Sequence, residues 1–495
     1  MIGLAQRHRA TATLAFALTA ASLFTLFHFN QSVWIDEGAS IWFARLPLDK
    51  LFTSICEPVT PLYHLLLRAA LTIDDSEAWL RLPSLLVGLL AIVAIYRLGT
   101  EAFGPTTAGL AAVLLALQPL HSWYASEIRM HAFGASLGLV AVWLGYRLIA
   151  RASNTAIGWF NWGVYILAAT LALWMDYTTF LVWGLLQIIW WIIGSPQPRR
   201  WLSAQASVLG LVVLRITPNQ LVSLSSNIYP TYIAVRANNL GIPLTPSLVS
   251  TAMLIVTAIG LLACLGAAIV WRRRGFKWSP NIKWLIIGLW VALVVWAVLP
   301  QAYTVKRRLI VIMPYLALAT AYFAAQLPRQ IRLGLVVIGG VATILSVTTL
   351  QREPWRSVVD DLLATQPQSG TIAWIDDMAV PPFDYYWQRA GSPEVIQWAP
   401  LNGRALPQTP QLVPSPGGIL WIVVAESAYR QMIQFLPADF AVNYELISER
   451  HETGIGVYQY QRRIQPDPTI TPAPEPPFFD RWGLLLPSPL GSCAP

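Results

Sequence analysis

The sequence predicts an α-helical polytopic membrane protein with about eleven transmembrane helices and a small C-terminal α/β domain outside the membrane. Three observations carry this. The 495 residues are 55% hydrophobic and only 12% charged, with a mean hydropathy of +0.52. Repeated membrane spans need that much apolar residue, and a soluble core does not. Apolar runs near span length recur from residue 10 to residue 350. Beyond residue 350 the pattern turns to short strands and amphipathic helices, and then to a Pro-rich tail from Pro466 that is expected to be disordered.

The apolar runs lie near residues 10–29, 82–99, 107–120, 131–150, 159–175 and 177–194, and then near 201–216, 248–271, 282–300, 309–325 and 333–350. The runs at 107–120 and 201–216 are short for a span. Residues 10–29 follow Arg7-His8-Arg9 as the apolar core of a signal peptide would. The run is nevertheless as long as a full span, so an uncleaved anchor is expected.

Lys and Arg set the orientation. Arg7 and Arg9 precede the first span, and Arg97 follows the second. Arg147 with Arg151, Arg199 with Arg200, the group Arg272, Arg273, Arg274, Lys277 and Lys283, and Arg329 with Arg332 fall in later loops. Alternating spans put all of them on one side, the cytoplasmic one, so localisation in a bacterial cytoplasmic membrane with multiple passes is expected. Residues after 350 then lie outside. Lys306-Arg307-Arg308 alone opposes the pattern, on the outer side. Two readings fit it: a basic loop reaching lipid head groups, or a clamp for a phosphate at the outer surface.

The net charge of +8 does not point to nucleic acid, because the cations form short clusters between apolar runs and no basic domain. Cys56, Cys264 and Cys493 are far apart and show no CxxC spacing, which argues against a zinc or redox motif.

Two adjacent acids, Asp36 and Glu37, stand just after the first span between Trp34 and Trp42, in the long outer segment 30–81. This segment also holds apolar patches at Ile41–Phe52 and Pro61–Leu67, which suit short helices in the membrane interface. The competing reading of Asp36 is an N-cap on the following helix, with Glu37 favouring the helix dipole. Past the third span, Glu127, Arg129, His121 and His131 gather outside. Glu127 and His131 are four apart and are expected to share a helix face. Two ligands are too few for a metal site, and a salt bridge is the plainer role for Glu127.

In the outer domain, 351–463, Val358–Ala364 reads as an amphipathic helix and Thr371–Ile375 as a buried strand. Tyr385–Arg389 reads as helix, Ile419–Val424 as a second strand and 441–460 as a closing hairpin. Asp376-Asp377 reads as a helix-capping pair.

These residues together resemble the GT-C superfamily of integral-membrane glycosyltransferases that use polyprenyl-phosphate sugars. The nearest branch holds protein O-mannosyltransferases, lipid A aminoarabinose transferase and Rgt-type lipopolysaccharide core transferases. Trp34-Ile35-Asp36-Glu37 matches the family's acidic pair, and Thr60-Pro61-Leu62-Tyr63 resembles its Pro-Pro-Leu-Tyr. Arg81-Leu82-Pro83-Ser84 resembles its Arg-x-Pro-Ser, and the stretch from His121 to Met130 its Trp-Tyr-Ser-Gln-Glu-Ala-Arg-Met-Tyr. Arg307-Arg308 ahead of Pro314 resembles its Arg-Tyr without the aromatic partner, and Pro354-Trp355-Arg356 closes a likeness that covers residues 30–390. Glu57-Pro58-Val59 stands where the family often has His, and His131 where it has Tyr.

The resemblance implies an enzyme, a hexosyl- or pentosyltransferase, whose donor is a polyprenyl-phosphate-linked sugar and whose acceptor is a glycan, lipid or protein. Asp36 is then the base and Glu37 its helper. Lys306, Arg307, Arg308, Arg129 and Arg81 hold the donor phosphate, and Glu127, His131 and Tyr63 support the substrates. No cofactor or resident metal is expected; a cationic clamp lessens the need for a metal without excluding one. Two other readings compete: a polysaccharide polymerase or ligase using a preassembled glycan, and a transporter or flippase. A transporter calls for ionisable groups near the middle of the membrane, whereas most charges here lie at span ends.

Overall fold

A computed structural model describes residues 2–53, 61–150, 158–193, 197–215, 310–364, 371–376, 379–393, 396–401, 413–425 and 440–467. It is mostly helical and divides into two compact units: residues 1–29 with 58–349, and residues 30–57 with 350–495. The first part of the outer segment 30–81 groups with the C-terminal sheet, because its helix packs there.

In the first unit the helices are α1 (Ile2–Leu26), α4 (Pro61–Leu71), α5 (Glu77–Phe103), α6 (Pro105–Ala116), α7 (Pro119–Ala125), α8 (His131–Ala150) and α9 (Trp159–Met175). They continue with α10 (Phe180–Ile193), α11 (Pro198–Arg215), α12 (Met313–Ala324) and α13 (Arg329–Thr349). Each expected span that falls on described residues is helical. The spans at 248–271 and 282–300 lie outside the described residues. Among those described, α5, α8 and α13 are long and apolar enough to cross a membrane. Helices such as α6 are shorter: twelve residues rise about 18 Å, against roughly 30 Å of hydrocarbon.

Two apolar cores hold this unit. One joins α1, α5, α6, α8 and α12 through Ala17, Ile92, Ile95, Leu115, Leu139 and Ala321. The other joins α8 to α11 through Leu148, Tyr165, Leu186, Trp201 and Val208. Pro83 lies inside α5, a break that neighbouring helices in a bundle tolerate.

The second unit contains α2 (Ile35–Arg45), α3 (Leu48–Thr53), α14 (Trp355–Ala364), α15 (Val380–Arg389) and the short α16 (Phe440–Asn443). Its strands are β1 (Ile372–Asp376), β2 (Gln397–Leu401), β3 (Ile419–Ala425), β4 (Tyr444–Glu452) and β5 (Ile455–Arg462). They form one five-stranded mixed sheet in the order β2-β1-β3-β5-β4. β1 runs parallel to both β2 and β3, whereas β5 is antiparallel to β3 and β4. Alternation places Ile372, Trp374, Leu420, Ile422, Tyr458 and Tyr460 on one face around Phe440. Among the described residues the helices and strands expected in 351–463 are found, β2 is a third parallel strand beside β1 and β3, and Asp377 of the expected capping pair lies outside the described residues.

Candidate active site

The acid pair is carried by α2, whose N-cap position is Trp34, without a side-chain cap hydrogen bond. Asp36 and Glu37 are thus inside the first helical turn, and the N-cap reading of Asp36 does not hold. Both acids still meet the positive end of the helix dipole. Asp36 is half-buried, and Glu37 is completely buried.

The sheet unit supplies the partners. The guanidinium of Arg352, itself fully buried, lies 3.8 Å from Glu37 Oε1. The neighbouring Glu353 Oε2 accepts the Ile35 N–H at 3.1 Å and the Trp355 indole N–H at 2.7 Å. Ile35 opens α2, so its N–H has no partner within the helix, and Glu353 supplies the missing acceptor. The Tyr386 hydroxyl accepts the Val33 N–H at 2.7 Å and lies 3.1 Å from the Ser32 hydroxyl. Gly38 rests on α15: a Cβ built there would be 2.5 Å from the backbone nitrogen of Pro382. Only glycine lets α2 approach so closely.

In the first unit, the end of α1, the start of α5, the bend between α7 and α8 and the junction of α9 with α10 meet at one end of the bundle. Arg81 is completely buried. Its Nη1 donates to Phe29 O at 2.7 Å, so its guanidinium holds the turn that follows α1. The Ser84 hydroxyl donates to Glu127 O at 2.5 Å, and the Trp123 indole N–H to Glu127 Oε1 at 3.0 Å.

Glu127 and His131 do not share a helix face. α7 ends at Ala125, where the Ser126 hydroxyl bonds back to Trp123 O at 2.7 Å, and 126–130 is non-helical. Such back-bonding by Ser competes with the helix ladder. Arg129 lies buried in this bend. Tyr63, on α4, packs edge-on against Phe133 with ring centroids 5.7 Å apart.

His131 opens α8 and pairs with Asp176, Nδ1 to Oδ2 at 3.0 Å. The Thr178 N–H and hydroxyl donate to Asp176 Oδ1 at 2.8 and 2.7 Å. Gly134, one turn along α8, makes room: a Cβ there would meet Asp176 Cβ at 2.4 Å. Burial raises the Asp176 carboxyl, but the His131 hydrogen bond and charge and the Thr178 bonds outweigh it and hold it below the ordinary range. His131 Nε2 is buried and without a hydrogen-bond partner among the described residues. His121, buried on α7, is pulled down to about 4 by loss of solvent.

Lys306, Arg307 and Arg308 lie outside the described residues. Among the described residues no group of three His, Cys, Asp or Glu side chains is arranged to hold a metal. Sequence reasoning missed Arg352, Glu353, Tyr386 and Asp176. Asp176 did leave a signal, as a lone acid between two apolar runs.

Comparison with known proteins bears on the fold. The sequence profile of the dolichyl-phosphate-mannose-protein mannosyltransferase family matches residues 57–222. The range includes Tyr63, Arg81, Glu127, Arg129, His131 and Asp176. The oligosaccharyltransferase of Archaeoglobus fulgidus, in a complex with Zn and sulfate, superposes with a TM-score of 0.51 at 13% identity, covering 90% of this chain and 72% of that one. ArnT from Cupriavidus metallidurans, bound to undecaprenyl phosphate, superposes with a TM-score of 0.50 at 12% identity, covering 91% of this chain and 97% of that one. The chain has the GT-C fold. At such identities the GT-C fold is what the two structures share with it, and no curated protein matches the sequence.

Proposed function

We propose that the chain is a membrane glycosyltransferase. It moves a hexosyl or pentosyl unit from a polyprenyl-phosphate carrier to an acceptor hydroxyl at the outer face of a cytoplasmic membrane. One observation carries the reading: on a GT-C fold, the first turn of α2 holds a half-buried acid, Asp36, while its neighbour Glu37 is buried against Arg352. The two acids therefore take unequal tasks. The undecaprenyl phosphate held by ArnT supports the class of carrier, and the one-sided Lys and Arg clusters support the sidedness.

Asp36 takes the proton of the acceptor hydroxyl as that oxygen bonds to the anomeric carbon. The bond from the anomeric carbon to the phosphate oxygen breaks, and the carrier phosphate leaves with the electron pair. Lys306, Arg307, Arg308 and Arg129 meet its charge. Glu37 holds α2 in place, and Arg81 fixes the end of α1. His131, oriented by Asp176, offers Nε2 to a substrate hydroxyl, with Tyr63 and Glu127 shaping the surrounding wall. A single displacement inverts the anomeric centre.

The test is transfer by the purified full-length chain in lipid nanodiscs, supplied with undecaprenyl-phosphate sugars and candidate acceptors. Transfer with inversion is expected from the native chain and none from Asp36→Asn. Full transfer by correctly inserted Asp36→Asn protein overturns the assignment.

A further inference from the structure

A cleft of about 290 Å³ opens on the face of the sheet opposite the Phe440 core, beside α14. It lies at the small end of the range for ligand pockets. Trp421 of β3, Gln459 of β5 and Ser448 of β4 are register partners and form one row across the strands. Arg450 follows two residues along β4 and faces the same way. Its Nη1 donates to Asp361 Oδ2 of α14 at 2.6 Å, and its Nε lies 2.9 Å from Glu452 Oε1. Its Nη2 has no partner among the described residues. The Ser448 hydroxyl and the Gln459 amide likewise have no protein partner there.

The lining narrows the chemistry of the occupant. One cation among two carboxylates leaves the rim without positive charge, which disfavours phosphates and carboxylates. A hydroxyl, an amide and a guanidinium N–H disfavour an acyl chain, which would leave them unsatisfied. Trp421 is 2% exposed and makes an apolar floor. A floor of that kind beneath mixed donors and acceptors matches a ring with C–H groups on one face and hydroxyls around its edge.

We propose that this cleft is a saccharide subsite that takes one neutral sugar unit of the acceptor. Its link to the acceptor rests on the glycosyl-transfer reading; its binding chemistry does not. The test is saturation-transfer NMR on the full-length chain in nanodiscs free of sugar detergents. The probes are the methyl glycosides of glucose, mannose and galactose, with glycerol as the polyol control. At least one glycoside is expected to receive saturation and glycerol none, and the signal is expected to fall fivefold or more in Gln459→Leu and Ser448→Val. Ser448 is exposed on an edge strand, where valine suits the strand, so at least one variant folds. No transfer to any glycoside, equal transfer to glycerol, or an undiminished signal in the folded variants overturns the proposal. Binding needs no turnover and is read equally on Asp36→Asn protein. An empty cleft therefore leaves the transfer reading standing, and an inactive enzyme leaves the cleft reading standing.

Discussion

Glu353 accepts the backbone N–H of Ile35 at 3.1 Å across 318 residues of chain. The helix that presents Asp36 is thus begun by a carboxylate from the far end of the sequence. Replacing Glu353 with Ala removes the acceptor and costs about 1 kcal/mol at the start of α2. Transfer is expected to fall roughly fivefold, mainly in kcat, because Asp36 loses its position and the substrates keep their contacts. Glu353→Gln keeps an acceptor oxygen and is expected to restore most of the rate. Steady-state kinetics of the three proteins checks this, and equal losses in both variants would count against positioning.

Asp36→Asn is expected to lower kcat by about 10²–10⁴, the usual loss of a general base. Asp36→Glu should retain part of the activity, since the carboxylate survives at a longer reach. Single-turnover transfer with saturating donor separates this loss from weaker binding.

Glu37 and Arg352 form a pair with both side chains at 0% exposure. Glu37→Gln removes a buried carboxylate from beside the Arg352 guanidinium and is expected to cost about 3 kcal/mol. The double change Glu37→Gln with Arg352→Met should recover part of that. Thermal melts of the four proteins give the coupling energy, and additive losses would show that the pair does not act as a unit.

Gly38→Ala sets a methyl group against the backbone of Pro382, which cannot rotate away. A loss of about 1–3 kcal/mol is expected, together with reduced transfer as α2 is pushed off α15. A melt and an activity assay on the same preparation measure both.

Two pH windows follow from the helical unit. Burial lowers His121 from 6.5 to about 4, so the unfolded chain takes this proton first. The stability linked to His121 is full above pH 6.5 and declines by about 3 kcal/mol as pH falls to 4. Asp176 is depressed instead. Its contribution is present above the unfolded value near ~3.9 and is lost as pH falls through the lower folded value. His121→Gln should flatten the first window, whereas Asp176→Asn should be less stable at neutral pH and converge with the native chain only in strong acid. Melting temperatures across pH 3–8 distinguish the two.

The sequence by itself determined what local order encodes. Hydropathy placed the helices because burial in lipid is a property of each run. Short apolar runs marked the buried strands, and short motifs with Asp36, Glu127 and Arg129 pointed to the fold. Tertiary structure alone decided what each charged group does. It buried Glu37 against Arg352, turned Arg81 to the end of α1, gave His131 to Asp176 and separated it from Glu127. Those partners lie 45 to 315 residues apart, and no local pattern reports which distant groups will satisfy a charge withdrawn from water.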